Sequence, residues 1–228
     1  MNFLSDKCTF TLLTKDIIEK SFDFDCEHPD LNDFFRHDCI DYSNQLLGKT
    51  YCFLLDEDPR CIVCAFTVSN DSIKTNLLPN NRKKKVNKQI PRAKHFKSYP
   101  AVLIGRLGVN KAFKCQGVGK ELMNFIKSWF IDSYNKTGCR FVVVDSYNEP
   151  KPIKYYKSNG FEFMFSTEEQ EMKSLSVSNN SELRDNISKR ILKFIKIFGW
   201  IKLSEKPENN GLSTRLMYFD LIVLSSGS

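Results

Sequence analysis

The first third of the chain alternates hydrophobic and polar positions with the period of strands, interrupted by one stretch with the period of a helix. Residues 8–13, 50–55 and 61–68 alternate in the manner of strands, and a turn of acidic residues and proline joins the last two as a hairpin. Between the first two strands, Asp30 is predicted to cap a helix that ends near Gly48. The apolar face of this helix comprises Leu31, Phe34, Phe35, Tyr42 and Leu46.

The rest of the chain alternates longer strands with helices. The predicted strands are 101–109, 141–144, 161–165 and 214–224, and the predicted helices are 117–134 and 153–158. This order predicts an α/β fold, in which a mixed sheet carries helices on its faces. Two segments interrupt it: a basic insertion at 71–98, and an insertion at 166–211 that is first polar and then helical. We expect one domain over residues 1–224 and a disordered tail at 225–228.

Composition and cysteine usage favour a reducing compartment. With 41% hydrophobic residues and 19 phenylalanines, the 228 residues can form a sizeable core. No run approaches the roughly 18 consecutive apolar residues of a membrane helix, and the first residues lack the pattern of a secretion signal. The eight cysteines are scattered, and the two in Cys61-Ile62-Val63-Cys64 would point to opposite faces of a strand. We therefore expect a cytoplasmic protein with free cysteines and no metal site.

Positive charge is concentrated in one segment. The net charge is +7, and residues 81–97 hold eight lysines and arginines with no acidic residue. Such a run is either a solvated loop or a surface that binds phosphate, whether of a nucleic acid or of a nucleotide. The charge pattern alone leaves both interpretations open.

A glycine loop lies between the predicted strand 101–109 and the helix that follows it. Gln116-Gly117-Val118-Gly119 begins that helix, where backbone N–H groups can bind phosphate if glycine allows close approach. Two common phosphate loops do not fit. A Walker A loop would need glycine at Lys114 and serine or threonine at Glu121, and a dinucleotide fingerprint would need glycine at Leu122.

The motifs, in this order and at these separations, resemble those of the GNAT acetyltransferases. Arg106-Leu107-Gly108-Val109 is followed by Lys114 through Gly119, which fits the family loop R/Q-x-x-G-x-G/A with lysine in the first position. Asn148 comes next, and Tyr155-Tyr156-Lys157-Ser158-Asn159-Gly160-Phe161 fits the family motif F-Y-x-x-x-G-F. The resemblance implies a single domain with a mostly antiparallel mixed sheet, splayed where acetyl-CoA binds, and helices on both faces.

The resemblance also implies roles for particular residues. Main-chain N–H groups of Leu107 and Val109 would hold the pantetheine arm and polarise the thioester, and Tyr156 would protonate the departing thiolate. A core tyrosine is the alternative for Tyr156. The implied cofactor-binding residues are Leu107, Gly108, Val109, Lys114, Gln116, Gly117, Val118, Gly119, Lys120 and Asn148. The candidates for a general base are Asp145, Glu149 and Glu162, although an α-amino acceptor with a pKa of about 7.7–8.0 would need none.

The amino-terminal part resembles the GNAT-type toxins in particular. Phe24-Asp25-Cys26 and the stretch Leu31–Arg36 resemble their opening F-x-C…L-x-x-F-L-R, and these toxins acetylate the amino group of aminoacyl-tRNA. For this acceptor, the basic segment would bind phosphate, and the implied substrate-binding residues are Arg82, Lys83, Lys84, Lys85 and Arg106. The resemblance also implies a homodimer and an antitoxin partner.

Three functions remain open from the sequence. The first is an acetyl-CoA-dependent N-acetyltransferase that transfers an acetyl group directly to a primary amine. The second is a toxin that acetylates aminoacyl-tRNA. The third is a binding module that keeps the fold without catalysis, against which the intact glycine loop and Tyr156 argue.

Overall fold

The computed structural model describes residues 2–135, 137–179 and 211–225, and it divides the chain into two compact units. The first unit consists of Met1–Ile73, Tyr99–Asp145 and Phe219–Ser228, and the second of Lys74–Ser98 and Ser146–Tyr218. The strands are β1 Cys8–Leu12, β2 Lys49–Leu55, β3 Asp58–Lys74, β4 Ser98–Val109, β5 Phe141–Tyr147, β6 Glu162–Phe163 and β7 Thr214–Asp220. The helices are α1 Phe3–Lys7, α2 Lys15–Lys20, α3 Pro29–Asp33, α4 Cys39–Asn44, α5 Asn80–Val86, α6 Val118–Ile131, α7 Pro150–Ser158, α8 Glu168–Asn179 and α9 Ile222–Ser225. Across these described ranges the fold is α/β with a mixed sheet of seven strands, as predicted.

In the first unit, the strands follow the order β1-β2-β3-β4-β5. β1 pairs antiparallel with β2, and β2 with β3. Aromatic side chains fill the space between these strands and α6, because the apolar stripe of this helix faces the sheet. The Phe10 ring lies 4.7 Å from Phe125 and 5.3 Å from Trp129, and the Tyr51 ring lies 4.8 Å from Trp129. These four side chains are half-buried, so each contributes less than the about 1.5–3 kcal/mol of a fully buried apolar side chain.

β4 and β5 of the first unit pair in parallel over only part of their lengths. Their paired residues run from Ala101↔Phe141 to Ile104↔Val144, while β4 itself continues to Val109. The carboxyl-terminal part of β4 thus extends beyond the register that it shares with β5. This agrees with the predicted splay of the sheet beside the glycine loop.

In the second unit, a buried ion pair joins the two ends of the insertion at 166–211, which we call the root of the insertion: α8 at its start and residues 212–216 after its end. Arg215 on β7 donates from Nε to Glu171 of α8 at 2.7 Å, and the side chains of both are at least 92% buried. The other oxygen of the Glu171 carboxylate accepts the backbone N–H of Leu216 at 2.7 Å. Glu168, one turn earlier on α8, accepts the backbone N–H of Leu212 at 3.2 Å. Both ends of the insertion are therefore attached to the same helix.

The structure differs from the predicted elements at several boundaries. The helix predicted from Asp30 begins at Pro29 instead, because proline is favoured in the first helical position. A π-helical turn at Phe34–Asp38 interrupts it, and it ends at Asn44. Leu46, assigned to its apolar face, therefore lies beyond the helix and is 89% exposed.

At the two ends of the chain, further boundaries differ. The last strand ends at Asp220 rather than at 224, because the carboxylate of Asp220 accepts the backbone N–H of Ile222 and α9 begins there. The hydrophobic pattern did not predict α1. The predicted helical part of the second insertion, around 187–198, lies outside the described residues, and so do residues 226–228 of the predicted tail.

Candidate functional site

A tight turn connects β4 to the glycine loop in the first unit. The side chain of Asn110 accepts the backbone N–H of Ala112 at 3.1 Å, and its amide donates to the carbonyl of Ile62 on β3 at 3.1 Å. Lys111–Phe113 then forms one turn of 3₁₀ helix. Asn110 therefore fixes the direction in which the chain leaves the sheet toward α6.

Gly117 sets the geometry at the start of α6. Its φ is +86°, in the left-handed region where a side chain is strained, and a Cβ built there would have no atom within 4 Å. The Gly117 carbonyl accepts the backbone N–H of Lys120 at 2.9 Å and that of Glu121 at 3.1 Å, which begins the helix. Glycine is required here for its conformation, and the space in front of it is open to a ligand.

Three polar side chains of this loop and the helix start, Lys114, Gln116 and Lys120, differ in what they contact. The ammonium of Lys114 donates to the carbonyl of Cys26 and to the carboxylate of Glu27, both at 2.7 Å. The amide of Gln116 donates to the carbonyl of Ala112 at 2.9 Å. Lys120 is exposed on the first turn of α6. The hydrogen bond from Lys114 holds the pKa of Glu27 below its ordinary value.

The end of β4 forms one wall beside this loop. Leu107 and Val109 are half-buried, and Gly108 between them is buried. A Cβ on Gly108 would lie 3.2 Å from both Cys26 and Phe24, so this glycine allows a neighbouring segment to approach the strand. Burial raises the pKa of the Cys26 thiol, which therefore stays protonated.

Arg106 lies on the same strand. Its guanidinium carbon lies 5.2 Å from the centre of the Phe34 ring, and the guanidinium donates to the carbonyl of Gly105 at 3.1 Å. The cation–π contact holds the charge against the helical segment that contains the π-helical turn. A role for Arg106 in binding a substrate stays a prediction.

In the second unit, Tyr156 lies on α7, as the tyrosine motif predicted. Its ring is half-buried and lies 5.1 Å from that of Tyr155 and 5.4 Å from that of Phe161. The carbonyl of Tyr156 accepts the backbone N–H of Phe161 at 3.0 Å. These contacts hold the backbone and the ring face, and a role for the phenol as an acid stays a prediction.

Asn148 supports the insertion in the second unit. Its side-chain amide donates to the carboxylate of Glu168 at 3.1 Å and to the carbonyl of Leu212 at 2.8 Å, and its backbone N–H donates to Ser213. The two side-chain donors of the amide are thus engaged by the root of the insertion. Any contact of Asn148 with the cofactor would therefore use an acceptor oxygen of this residue rather than its side-chain donors.

The basic segment contains two classes of cation. The side chain of Arg82 is only 14% exposed and donates to the carbonyls of Phe163 and Met164, and Lys85 pairs with the carboxylate of Glu162. Lys83 and Lys84 take no such part in the contacts between α5 and β6; Lys83 is half-buried and Lys84 exposed.

These contacts also bear on Glu162, a candidate general base. Its carboxylate pairs with the two cations Arg82 and Lys85. The other base candidates, Asp145 and Glu149, have exposed side chains.

Sequence reasoning missed the acidic segment beside the glycine loop. Asp25 and Glu27 precede the loop by more than 80 residues, so no local pattern connects them to Lys111 and Lys114.

In the described residues, no group of three histidine, cysteine, aspartate or glutamate side chains is placed to hold a metal ion. Nor does any described helix combine the length and apolar character needed to cross a membrane.

Comparison with known proteins finds one family model that matches part of the chain. Residues 83–163 match the family model of the acetyltransferase (GNAT) domain. This range includes the end of β4, the glycine loop, α6 and the tyrosine motif. No curated protein matches the chain in sequence. The predicted resemblance to the GNAT acetyltransferases is thus confirmed.

Solved structures of GNAT-type toxins have the same fold. A tyrosine-to-phenylalanine mutant of KacT is 19% identical, with a TM-score of 0.55 over 68% of this chain and 87% of its own. AtaT complexed with acetyl-methionyl-tRNAfMet is 24% identical, with a TM-score of 0.52 over 68% of this chain and 86% of its own. An AtaT mutant bound to the C-terminus of the antitoxin AtaR and acetyl-CoA is 16% identical, with a TM-score of 0.53 over 98% of this chain and 100% of its own. At these identities, the likeness establishes the fold.

Proposed function

We propose that this protein is an acetyl-CoA-dependent N-acetyltransferase that transfers the acetyl group directly to a primary amine. The observation that carries the proposal is the left-handed Gly117 at the start of α6, with open space where a Cβ would stand. A helix start of this kind offers backbone N–H groups and the positive end of the helix dipole to a pyrophosphate. The match of the surrounding residues to the acetyltransferase domain model supports the same assignment.

In the proposed reaction, the amine nitrogen attacks the carbonyl carbon of the thioester. The C–N bond forms, the C–S bond breaks, and CoA leaves as a thiolate that takes a proton. We assign that proton to Tyr156, and we assign the N–H groups of Leu107 and Val109 to the carbonyl oxygen, where negative charge develops. An α-amino group with a pKa of about 7.7–8.0 is partly neutral at pH 7 and can attack without a general base.

A second candidate specifies the acceptor as aminoacyl-tRNA. Two observations favour it: the two cations Lys83 and Lys84, which lie outside the α5–β6 contacts, and the fold shared with AtaT, which has been solved in complex with acetyl-methionyl-tRNAfMet. By the same likeness, an antitoxin is the proposed protein partner, since AtaT has been solved with AtaR. Homodimer formation stays part of this proposal.

Calorimetric titration with acetyl-CoA tests the main proposal. The double variant Gly117→Glu/Gly119→Glu places two carboxylates at the helix start and forces a side chain onto a φ of +86°. We expect micromolar binding by the native protein and at least a hundredfold weaker binding by this variant. Gly138→Glu is the control for a carboxylate on an exposed glycine with open space around it, and it adds one negative charge where the double variant adds two.

The outcomes separate the candidates. Native binding that survives in the double variant would reject the glycine loop as the pyrophosphate site. Absence of binding by a native protein that melts cooperatively would reject the enzyme and leave the binding module. Loss in the double variant with native affinity in Gly138→Glu supports the proposal and justifies acceptor assays with aminoacyl-tRNA.

A further inference from the structure

A short acidic segment runs alongside the lysines that lead into the glycine loop. Asp25 pairs with Lys111 at 3.0 Å, and Glu27 pairs with Lys114 at 2.7 Å. The backbone N–H of Lys111 also donates to the carbonyl of Asp25 at 2.8 Å. Two successive carboxylates on one segment therefore match two successive cations on the other.

The acidic segment is held in place from its other side. The side-chain carbonyl of Asn32 accepts the backbone N–H of Cys26 at 2.8 Å, and the amide of Asn32 donates to Asp25 at 2.9 Å. Glu27 adopts a left-handed φ of +60°, and its N–H donates to the carboxylate of Asp25 at 2.8 Å. The position of Glu27 is thus set by its backbone and does not depend on the ion pair with Lys114.

Of the two hydrogen bonds that the Lys114 ammonium donates, only the one to Glu27 can be replaced readily by a ligand. The carbonyl of Cys26 belongs to a buried residue fixed by Asn32, so this bond persists. The carboxylate of Glu27 lies on a side chain that is 62% exposed and can turn into solvent. A carboxylate and a phosphate oxygen compete for the same donors on an ammonium group.

We propose that Glu27 is an internal anion that competes with the pyrophosphate of acetyl-CoA for Lys114 and so sets the affinity for the co-substrate. This inference rests on the proposed function. A pyrophosphate bound at Lys114 would either share the ammonium with the Glu27 carboxylate, which places two anions close together, or displace that carboxylate, which breaks the ion pair. Removal of the carboxylate charge eliminates both unfavourable contributions.

The experiment is a calorimetric double-mutant cycle with acetyl-CoA as the ligand. Exposed ion pairs are worth about 0.2–1 kcal/mol, so we expect Glu27→Gln to bind acetyl-CoA about 1.4- to fivefold more tightly than the native protein. In the Lys114→Gln background, the same substitution should give no gain, because the competed cation is missing. Glu57→Gln is the matched control: it removes one exposed carboxylate that pairs with Lys7 and should leave the affinity unchanged.

Each outcome has one meaning. Equal or weaker binding by Glu27→Gln overturns the competition; weaker binding would instead make Glu27 an aid that orients Lys114 for the ligand. A gain that persists in the Lys114→Gln background would reflect net charge and also overturns it. If the native protein melts cooperatively but binds no acetyl-CoA, the proposed function fails and this inference with it, whereas tight native binding without a Glu27 effect rejects this inference alone.

Discussion

Tyr156 can lose its hydroxyl without losing its packing. Its ring face contacts Tyr155 and Phe161, and its carbonyl closes the turn after α7, so phenylalanine preserves every one of these contacts. If the phenol protonates the thiolate, Tyr156→Phe should lower turnover by about a hundredfold or more and leave the Kd for acetyl-CoA within a factor of two. Release of CoA thiol with aminoacyl-tRNA as acceptor measures the first quantity, and calorimetry measures the second.

Tyr155→Phe is the control for this prediction. Tyr155 lies next to Tyr156 on α7, is also half-buried and presents the same group. Its variant should keep native turnover. Native turnover in Tyr156→Phe would remove Tyr156 from the acid role, and equal losses in both variants would indicate a role in packing.

Single residues show where sequence reasoning succeeds and where it ends. Glycine at Gly117 was predicted to allow a ligand to approach the backbone, and the structure adds a second reason for it, because its positive φ is one that glycine adopts without strain. The engagement of Asn148 by Glu168 and Leu212, and of Lys114 by Glu27, could not be predicted. These partners are distant along the chain, and only the folded topology brings them together.

At the scale of elements, the root of the second insertion depends on one buried charge pair. Glu171 pairs with Arg215 at 2.7 Å, and the other carboxylate near Arg215 is that of Glu168 at 3.6 Å, so removal of Glu171 leaves a buried guanidinium that is only partly compensated. We therefore expect Glu171→Ala to lower the free energy of unfolding by about 3 kcal/mol. Chemical denaturation of the full chain measures this change. The double variant Glu171→Leu/Arg215→Met should recover at least half of the loss, because it leaves no buried lone charge.

Glu169→Ala is the matched control on the same helix, because its side chain is exposed. Such surface changes usually alter stability by at most about 0.5 kcal/mol. A loss of that small size in Glu171→Ala would mean that the ion pair does not hold the insertion. Equal losses in the single and double variants would instead assign the stability to side-chain packing.

The presence of an element was predictable where the period of the pattern is uniform, but its bounds were not. β3 is Asp58–Lys74 where 61–68 was predicted, and β5 continues to Tyr147 where 141–144 was predicted. The strands of the first unit and α6 follow from alternation and from helical spacing over many residues. The π-helical turn at Phe34–Asp38 could not be read from a 3.6-residue period, because it inserts an extra residue into the turn and shifts the face of everything after it. Leu46 was assigned to the wrong environment for this reason and because the helix ends early.

At the scale of the whole molecule, the net charge of +7 arises from one segment, residues 81–97, which holds eight lysines and arginines. The cations of α5 in this segment differ in their contacts. Arg82 and Lys85 serve contacts within the second unit, whereas Lys83 and Lys84 do not join them. The sequence predicted all four as phosphate contacts. Charge reversal at Arg82 or Lys85 would also break contacts between α5 and β6, so a test of binding is sharpest at Lys83 and Lys84.

If tRNA is the acceptor, its phosphates should bind these cations with a measurable dependence on salt. Each neutralised phosphate adds about 0.7–0.9 to the slope of log affinity against log salt concentration. Lys83→Glu/Lys84→Glu should therefore weaken tRNA binding at least tenfold at low salt and reduce that slope by about 1.4–1.8. Lys15→Glu/Lys20→Glu, on the exposed helix α2, reverses the same number of charges and should leave both quantities unchanged.

The alternative acceptors give a different result in the same titration. A small-molecule amine would require no phosphate contacts, so binding of tRNA would be weak, and acetylation would not respond to salt beyond general screening. Equal losses in the two charge-reversed variants would indicate attraction by net charge rather than by a specific surface. A selective loss of tRNA binding in the α5 variant would instead locate the acceptor surface at α5. Native binding of acetyl-CoA by the same variant would show that the loss does not arise from the co-substrate site.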